Sequence, residues 1–169
     1  MNILNIDFDE IYRRHLCRHS QFGLNLTHLI AVAGTYFGLF GLAYWLADFL
    51  PVNPDWIVLG ILAVYFVVLA FNIPVRVFLV NVISILLILA LFKVVPLGPW
   101  WLYPWVYLVL IVLCHQFQNW THKFYTKHRD MSEFAEKYPK GFTLFILLSL
   151  YELPILLNYL AFDRKNWTA

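Results

Sequence analysis

Six histidines stand in two windows of this 169-residue chain. His15, His19 and His28 lie near its start. His115, His122 and His128 lie in the stretch Cys114–Arg129, CHQFQNWTHKFYTKHR, where a long apolar segment meets polar sequence. No histidine falls between His28 and His115. An apolar chain gains little packing from imidazoles, so two tight groups of them point to chemistry. Neutral imidazole is the commonest nitrogen ligand for iron, zinc and copper. The expectation is that the two windows fold together at one membrane face and hold iron.

Spacing limits which residues can cooperate. Residues three or four apart share a helix face, as His15 and His19 do, and as Gln118 and His122 do. His115 and His122 point the same way but sit about 10 Å apart along a helix axis. They cannot share one ion unless the helix breaks between them, so one serves a second metal, a substrate or a supporting role. No HExxH is present, which argues against a zincin. Glu152 lies deep in an apolar segment, where an acid is costly and faces a cavity or a partner. Its open roles are metal ligand, proton carrier and partner of a buried cation. Cys17 and Cys114 read as apolar fillers, with no CxxC and no disulfide framework between them. The basic residues Lys123, Lys127, Arg129, Lys137 and Lys140 read as a solvated face near anionic lipid.

The elements that must position these residues are membrane helices. The chain is 62% hydrophobic and 13% charged, against about 45–50% and 25% in soluble domains. Its net charge of +2 lacks the concentrated basic surface that nucleic acid needs. The expected fold is all-α: one membrane domain over 1–169, a polytopic helical bundle with about five transmembrane segments. Residues 1–24 form an N-terminal segment in which Ile6, Phe8, Ile11 and Tyr12 can share the apolar face of an interfacial helix; an ordinary tail is the alternative. The apolar runs Leu26–Leu50, Trp56–Phe71, Val75–Val95, Pro99–Cys114 and Gly141–Phe162 follow, each near the roughly 20 residues a bilayer crossing takes. Gly34, Gly38 and Gly41 fall on one side of the first run and let another helix approach closely. Pro51-Val-Asn-Pro54 and Asn72-Ile-Pro74 make tight turns. Trp100, Trp101, Tyr103 and Trp105 form an interfacial aromatic belt. Residues 115–140 are a histidine-rich connection, polar over Asp130–Lys140.

If all five runs cross, one end of the bundle receives Arg13, Arg14, Arg18, Arg76, Lys123, Lys127, Arg129, Lys137 and Lys140. The other receives Lys93, Arg164 and Lys165. That bias makes the first end cytoplasmic, and both histidine windows lie there. Pro154 offers a variant in which the last run re-enters and returns the C-terminus without moving either window.

The stretch His19-Ser-Gln-Phe-Gly-Leu-Asn25-Leu-Thr-His28, with Gly34-Thr35 after it, resembles the first motif of the small membrane-bound 2-hydroxy fatty acid dioxygenases. Gln118-Asn-Trp-Thr-His122 resembles their second motif, and Tyr138-Pro139 the proline that follows it. The chain departs from the family at Thr121, where glycine is usual, and at Thr126, where glutamate is usual; Glu136 or His128 stands as a substitute for that acid. About ten extra residues separate His122 from Pro139. The resemblance implies a non-haem Fe(II) enzyme, with one or two ions, that uses dioxygen to cleave C1–C2 of a 2-hydroxy fatty acid at the membrane. It implies His19, His28 and His122 as ligands, His115 and His128 as further candidates, and Asn25 and Gln118 as residues that orient ligands or oxygen. Other classes remain open on the residues alone: a histidine-rich di-iron lipid desaturase or hydroxylase, and a non-catalytic haem- or metal-binding membrane subunit.

Overall fold

The computed structural model describes residues 5–95, 104–125, 132–135, 137, 138 and 141–168. His128, Glu136, Pro139 and the Trp100–Tyr103 part of the aromatic belt lie outside the described residues. The described residues form helices joined by short turns, with a single isolated bridge between Gln21 and Thr168. The expected all-helical bundle is what the chain builds.

Helix α1 (Phe8–Arg18) opens where the Asp7 carboxylate accepts the Glu10 amide at 3.0 Å, satisfying an otherwise orphaned N–H of the first turn. Its Phe8, Ile11 and Tyr12 are buried and Ile6 is partly so, the face expected from their spacing. Helices α2 (Phe22–Ala47), α3 (Pro54–Asn72), α4 (Val75–Val94) and α5 (Pro104–Tyr125) are the long rods. Asn53 caps α3 and Pro54 starts it, a position where the missing proline N–H costs nothing. The Asn72-Ile-Pro74 turn makes α3 and α4 antiparallel neighbours, and Asn72 accepts the Ile6 amide at 2.8 Å. The N-terminal segment is thereby tied to the α3–α4 turn.

By length and composition, four helices can cross a membrane: α2, α3, α4 and the segment Phe142–Phe162. Their outer faces carry rows of bare apolar side chains, with Phe71 86% and Phe142 78% exposed. Hydrophobic surface on that scale needs an apolar surrounding. Inside the bundle, Val32, Phe40, Val58, Leu62, Ile85, Phe92 and Tyr107 make the core between the rods.

Helix α5 runs antiparallel along the glycine side of α2. A Cβ built on Gly34 would meet Cys114 Sγ at 2.6 Å, one on Gly38 would meet Ile111 Cγ1 at 2.8 Å, and one on Gly41 would meet the Tyr107 ring at 2.2 Å. The glycine stripe is therefore the seat of α5. Cys114 fills that seam, as a small apolar residue would.

The last segment packs against α1. Helix α6 (Ser132–Ala135) leads to Lys137, whose ammonium pairs with Glu10 of α1 at 2.6 Å, and to Tyr138, buried in the cluster around Phe8 and Tyr12. Helix α7 (Phe142–Leu157) continues through a π turn, Asn158–Phe162, and a short 3-10 turn, Arg164–Asn166. Beyond it, Asp163 accepts the Tyr12 hydroxyl at 2.6 Å, and Thr168 donates its amide to the Ser20 carbonyl at 3.0 Å. Both ends of α7 thus meet α1 at one end of the bundle. A straight crossing of about 20 residues would separate them by about 30 Å. Arg164 and Lys165 join the α1 end, and Lys93 is the one basic residue at the far end among the described residues.

Pro154 lies inside α7 and cannot donate to the carbonyl four residues earlier, Leu150. That carbonyl accepts the Tyr65 hydroxyl of α3 at 3.1 Å instead. The break in the helical ladder is thus met by a side chain of the bundle, and the wider π turn follows it.

Candidate metal centre

Three imidazoles converge where α1 ends, α2 begins and α5 ends. The ring centroids of His19, His28 and His122 lie 4.8–4.9 Å from one another. One ligating atom from each lies within 4.8 Å of the others. His19 Nε2 and His122 Nε2 are 3.3 Å apart. Two nitrogens bound to one ion at about 2.1 Å, at angles between square and tetrahedral, stand roughly 3.0–3.4 Å apart. The pair already has that separation.

Each ring is placed by a different element. His28 sits one and a half turns into α2, buried, with neither ring nitrogen hydrogen-bonded within the described protein. His122 projects from the last turns of α5. His19 is the residue after α1, and its backbone has left helical geometry. Its amide still bonds the His15 carbonyl at 2.8 Å, which turns the side chain inward.

The loop that carries His19 is held from three directions. Asn25, fully buried, donates Nδ2 to the carbonyls of His19 and Gln21 and places Oδ1 2.7 Å from His15 Nε2. His15 in turn stacks on His19, with centroids 4.5 Å apart. The C-terminal strand closes the third side: the Ser20 carbonyl accepts from Thr168 N, Thr168 Oγ1 and the Tyr159 hydroxyl, and Thr168 O accepts from Phe22 N. Removing Trp167–Ala169 is expected to leave the helices intact while lowering metal affinity about tenfold or more, the usual penalty for losing an outer support. Competition with a metal-sensitive dye, read beside far-UV circular dichroism, checks this.

Electrostatics keep the first two histidines neutral. Burial pulls His15 down to about 3, outweighing the opposing hydrogen bond from Asn25. Burial, then the neighbouring imidazoles, hold His19 well below its ordinary value. Neutral rings with free lone pairs are what a metal requires. Buried polar atoms without partners cost about 1–3 kcal/mol each, and both nitrogens of His28 and Nδ1 of His19 are in that state. Coordination relieves that cost at one nitrogen of His28, so the residues present fit a bound transition metal.

An acid completes the surroundings. Glu152 Oε1 accepts from Gln118 Nε2 at 2.8 Å and lies 3.7 Å from His28 Nδ1. Carboxylates placed behind ligating histidines fix ring orientation and raise basicity. Glu152 lies beside His28 without a hydrogen bond to it, and Gln118 is its anchor.

Among the residues singled out from spacing, His19, His28 and His122 come together. Asn25 and Gln118 sit beside this group, hydrogen-bonded to the His19 carbonyl and to Glu152. His115 is exposed on α5, two turns from His122, and stands apart from the group; the straight helix between them is the reason. His15, of the first histidine window, stacks on His19 and lies outside the group of three, and Arg14, read from sequence only as a basic flank, is buried beside it. The signal for His15 was its i, i+4 spacing to His19, and for Arg14 its place on the same helix face as Ile11.

No protein-family model matches this chain, and neither a curated protein nor a solved structure does so.

Proposed function

We infer that this protein is an integral membrane iron oxygenase whose site faces the cytoplasm and whose substrate is a 2-hydroxy fatty acid. The observation that carries the reading is the convergence of His19, His28 and His122, from both ends of the chain, at one end of an apolar bundle. Three nitrogen ligands leave coordination positions free, the arrangement used where a metal must also accept substrate and oxygen. Bound Fe(II) would supply the activation of dioxygen needed to cleave C1–C2 and shorten the acid by one carbon. The likeness of His19–His28 and Gln118–His122 to the dioxygenase motifs supports that choice of substrate.

The chain's own residues divide the remaining work. His19, His28 and His122 would hold the ion. Glu152, supported by Gln118, would hold the His28 ring. Asn25 would keep His19 facing inward. The apolar wall of Ile11, Leu148 and Ile155 would receive the first carbons of the acyl chain and keep water from the reacting end. Clustering of the basic residues at the α1 end supports the cytoplasmic orientation.

The direct test is turnover. Protein loaded anaerobically with Fe(II) and given 2-hydroxyhexadecanoic acid and oxygen should yield a fifteen-carbon product, and His122→Ala should yield none. Stoichiometric metal without any shortened product would leave a metal-binding membrane subunit as the function. No retained metal would end both readings.

A further inference from the structure

Beside the three histidines, α1 and α7 enclose a cavity of about 50 Å³ lined by Arg14, His15, Arg18, His19, Glu152 and apolar side chains. The space admits a group of a few heavy atoms, larger than one water, the size of a carboxylate with its first carbons. Arg14 is 9% exposed, and long cationic side chains are rarely buried without a counter-charge. Among the described residues, no carboxylate lies within ion-pair distance of Arg14 or Arg18. Glu10, one turn away on α1, is committed to Lys137. Glu152, across the cavity, is committed to Gln118 and His28.

Among the described residues, the arginine and carboxylate side chains facing the space leave one positive charge over: two guanidinium groups oppose one carboxylate. A monoanion restores neutrality, and the planar fork of arginine matches a carboxylate in two parallel hydrogen bonds. The wall opposite the arginines is apolar: Ile11, Leu148 and Ile155. An anion with a hydrocarbon tail satisfies both surfaces at once.

We propose that Arg14, with Arg18 at the rim, is the binding site for the carboxylate of a fatty acid, and that it docks this end of the molecule beside the histidine group. The proposal rests on the reading of this end of the bundle as a site for fatty acids, and it gives that site a selectivity device separate from the metal. Arg14 contacts the carboxylate; Arg18, more exposed, draws it in. Glu152 excludes a second negative charge, which favours a single carboxylate over a dianionic head group.

The test measures binding without turnover. Full-length protein in phosphatidylcholine nanodiscs is equilibrated with octanoate or methyl octanoate by dialysis, with empty nanodiscs as the baseline. Octanoate should bind at least about tenfold tighter than its ester, since a charge-assisted pair is lost in the ester. Arg14→Met should remove that preference while metal content stays that of wild type, and Arg14→Lys should restore part of it. Equal binding of acid and ester by wild-type protein overturns the proposal even if Arg14→Met does not fold. So does an unchanged preference in Arg14→Met, or competition by dioctanoyl phosphatidylglycerol stronger than by octanoate. The preference should survive in His122→Ala. Wild-type protein that holds no metal yet shows the preference removes the oxygenase reading alone, and wild-type protein that holds metal without the preference removes this one alone.

Discussion

His28→Ala is expected to release the metal altogether, with at most a trace retained after dialysis where wild-type protein keeps a stoichiometric ion. His28 is one corner of the triangle of imidazoles, with centroids 4.9 Å from each of the other two. It is 3% exposed, and its nitrogens have no other hydrogen-bond partner among the described residues. Alanine there leaves two nitrogens and a small apolar hole, and two ligands do not hold a divalent ion against water. Stability should change far less than metal content, because the buried imidazole contributes no hydrogen bond that alanine would break. Glu152→Gln makes the graded comparison. It removes the charge behind His28 while keeping a side chain of the same shape, so metal affinity should fall about 10–100-fold without vanishing. Mass-spectrometric metal analysis of the three proteins, with circular dichroism as the fold control, gives the result. Wild-type metal content in His28→Ala would show that the imidazoles are not ligands.

The second large effect is expected from a residue with no functional group. Gly41→Leu should lower the thermal midpoint by several degrees and loosen the metal centre from a distance. The Cβ alone would come within 2.2 Å of the Tyr107 ring. That ring cannot step aside, because Tyr107 is buried and Phe92 stands beside it. Overpacking of this kind costs about 1–3 kcal/mol. The strain is relieved by pushing α5 away from α2, and α5 carries His122. An imidazole moved by about an ångström no longer completes the ligand set. Gly38→Ala should act in the same direction, since its Cβ would also press on the Tyr107 carbonyl oxygen at 3.1 Å, and backbone does not yield as a side chain does. Gly60→Ala is the control: nothing lies within 4 Å of the added carbon, so neither stability nor metal binding should fall. Differential scanning fluorimetry and metal titration of the three variants separate a specific seam from a general dislike of added bulk.

Much of the bundle is legible in the residues because its rules are local. A run of some 20 apolar residues, a proline after an asparagine, and glycines at helical spacing each act within a few turns. That locality is why α2, α3, α4 and the Asn72–Pro74 turn fall where spacing puts them. The site is legible to the same extent. His19 and His28 flank the start of α2, His122 ends α5, and antiparallel crossing brings those ends together without any knowledge of side-chain contacts. His115 falls outside the group for an equally local reason, the roughly 10 Å rise between it and His122.

Tertiary structure decided what depends on partners distant in the chain. Hydropathy alone would let Phe142–Phe162 cross to the far end. In the structure it lies along α1, with Tyr65 receiving the carbonyl freed by Pro154, Asp163 meeting Tyr12, and Thr168 meeting Ser20. That placement brings Glu152 beside His28 and sets α7 against α1, which encloses Arg14. From the sequence by itself came an apolar helical bundle, its glycine seam, and three histidines at one end of it. The position of the acid, the closure of the cavity and the clasp on the His19 loop came from folding, because hydrogen bonds between residues 34 to 151 positions apart leave no periodic trace in the chain.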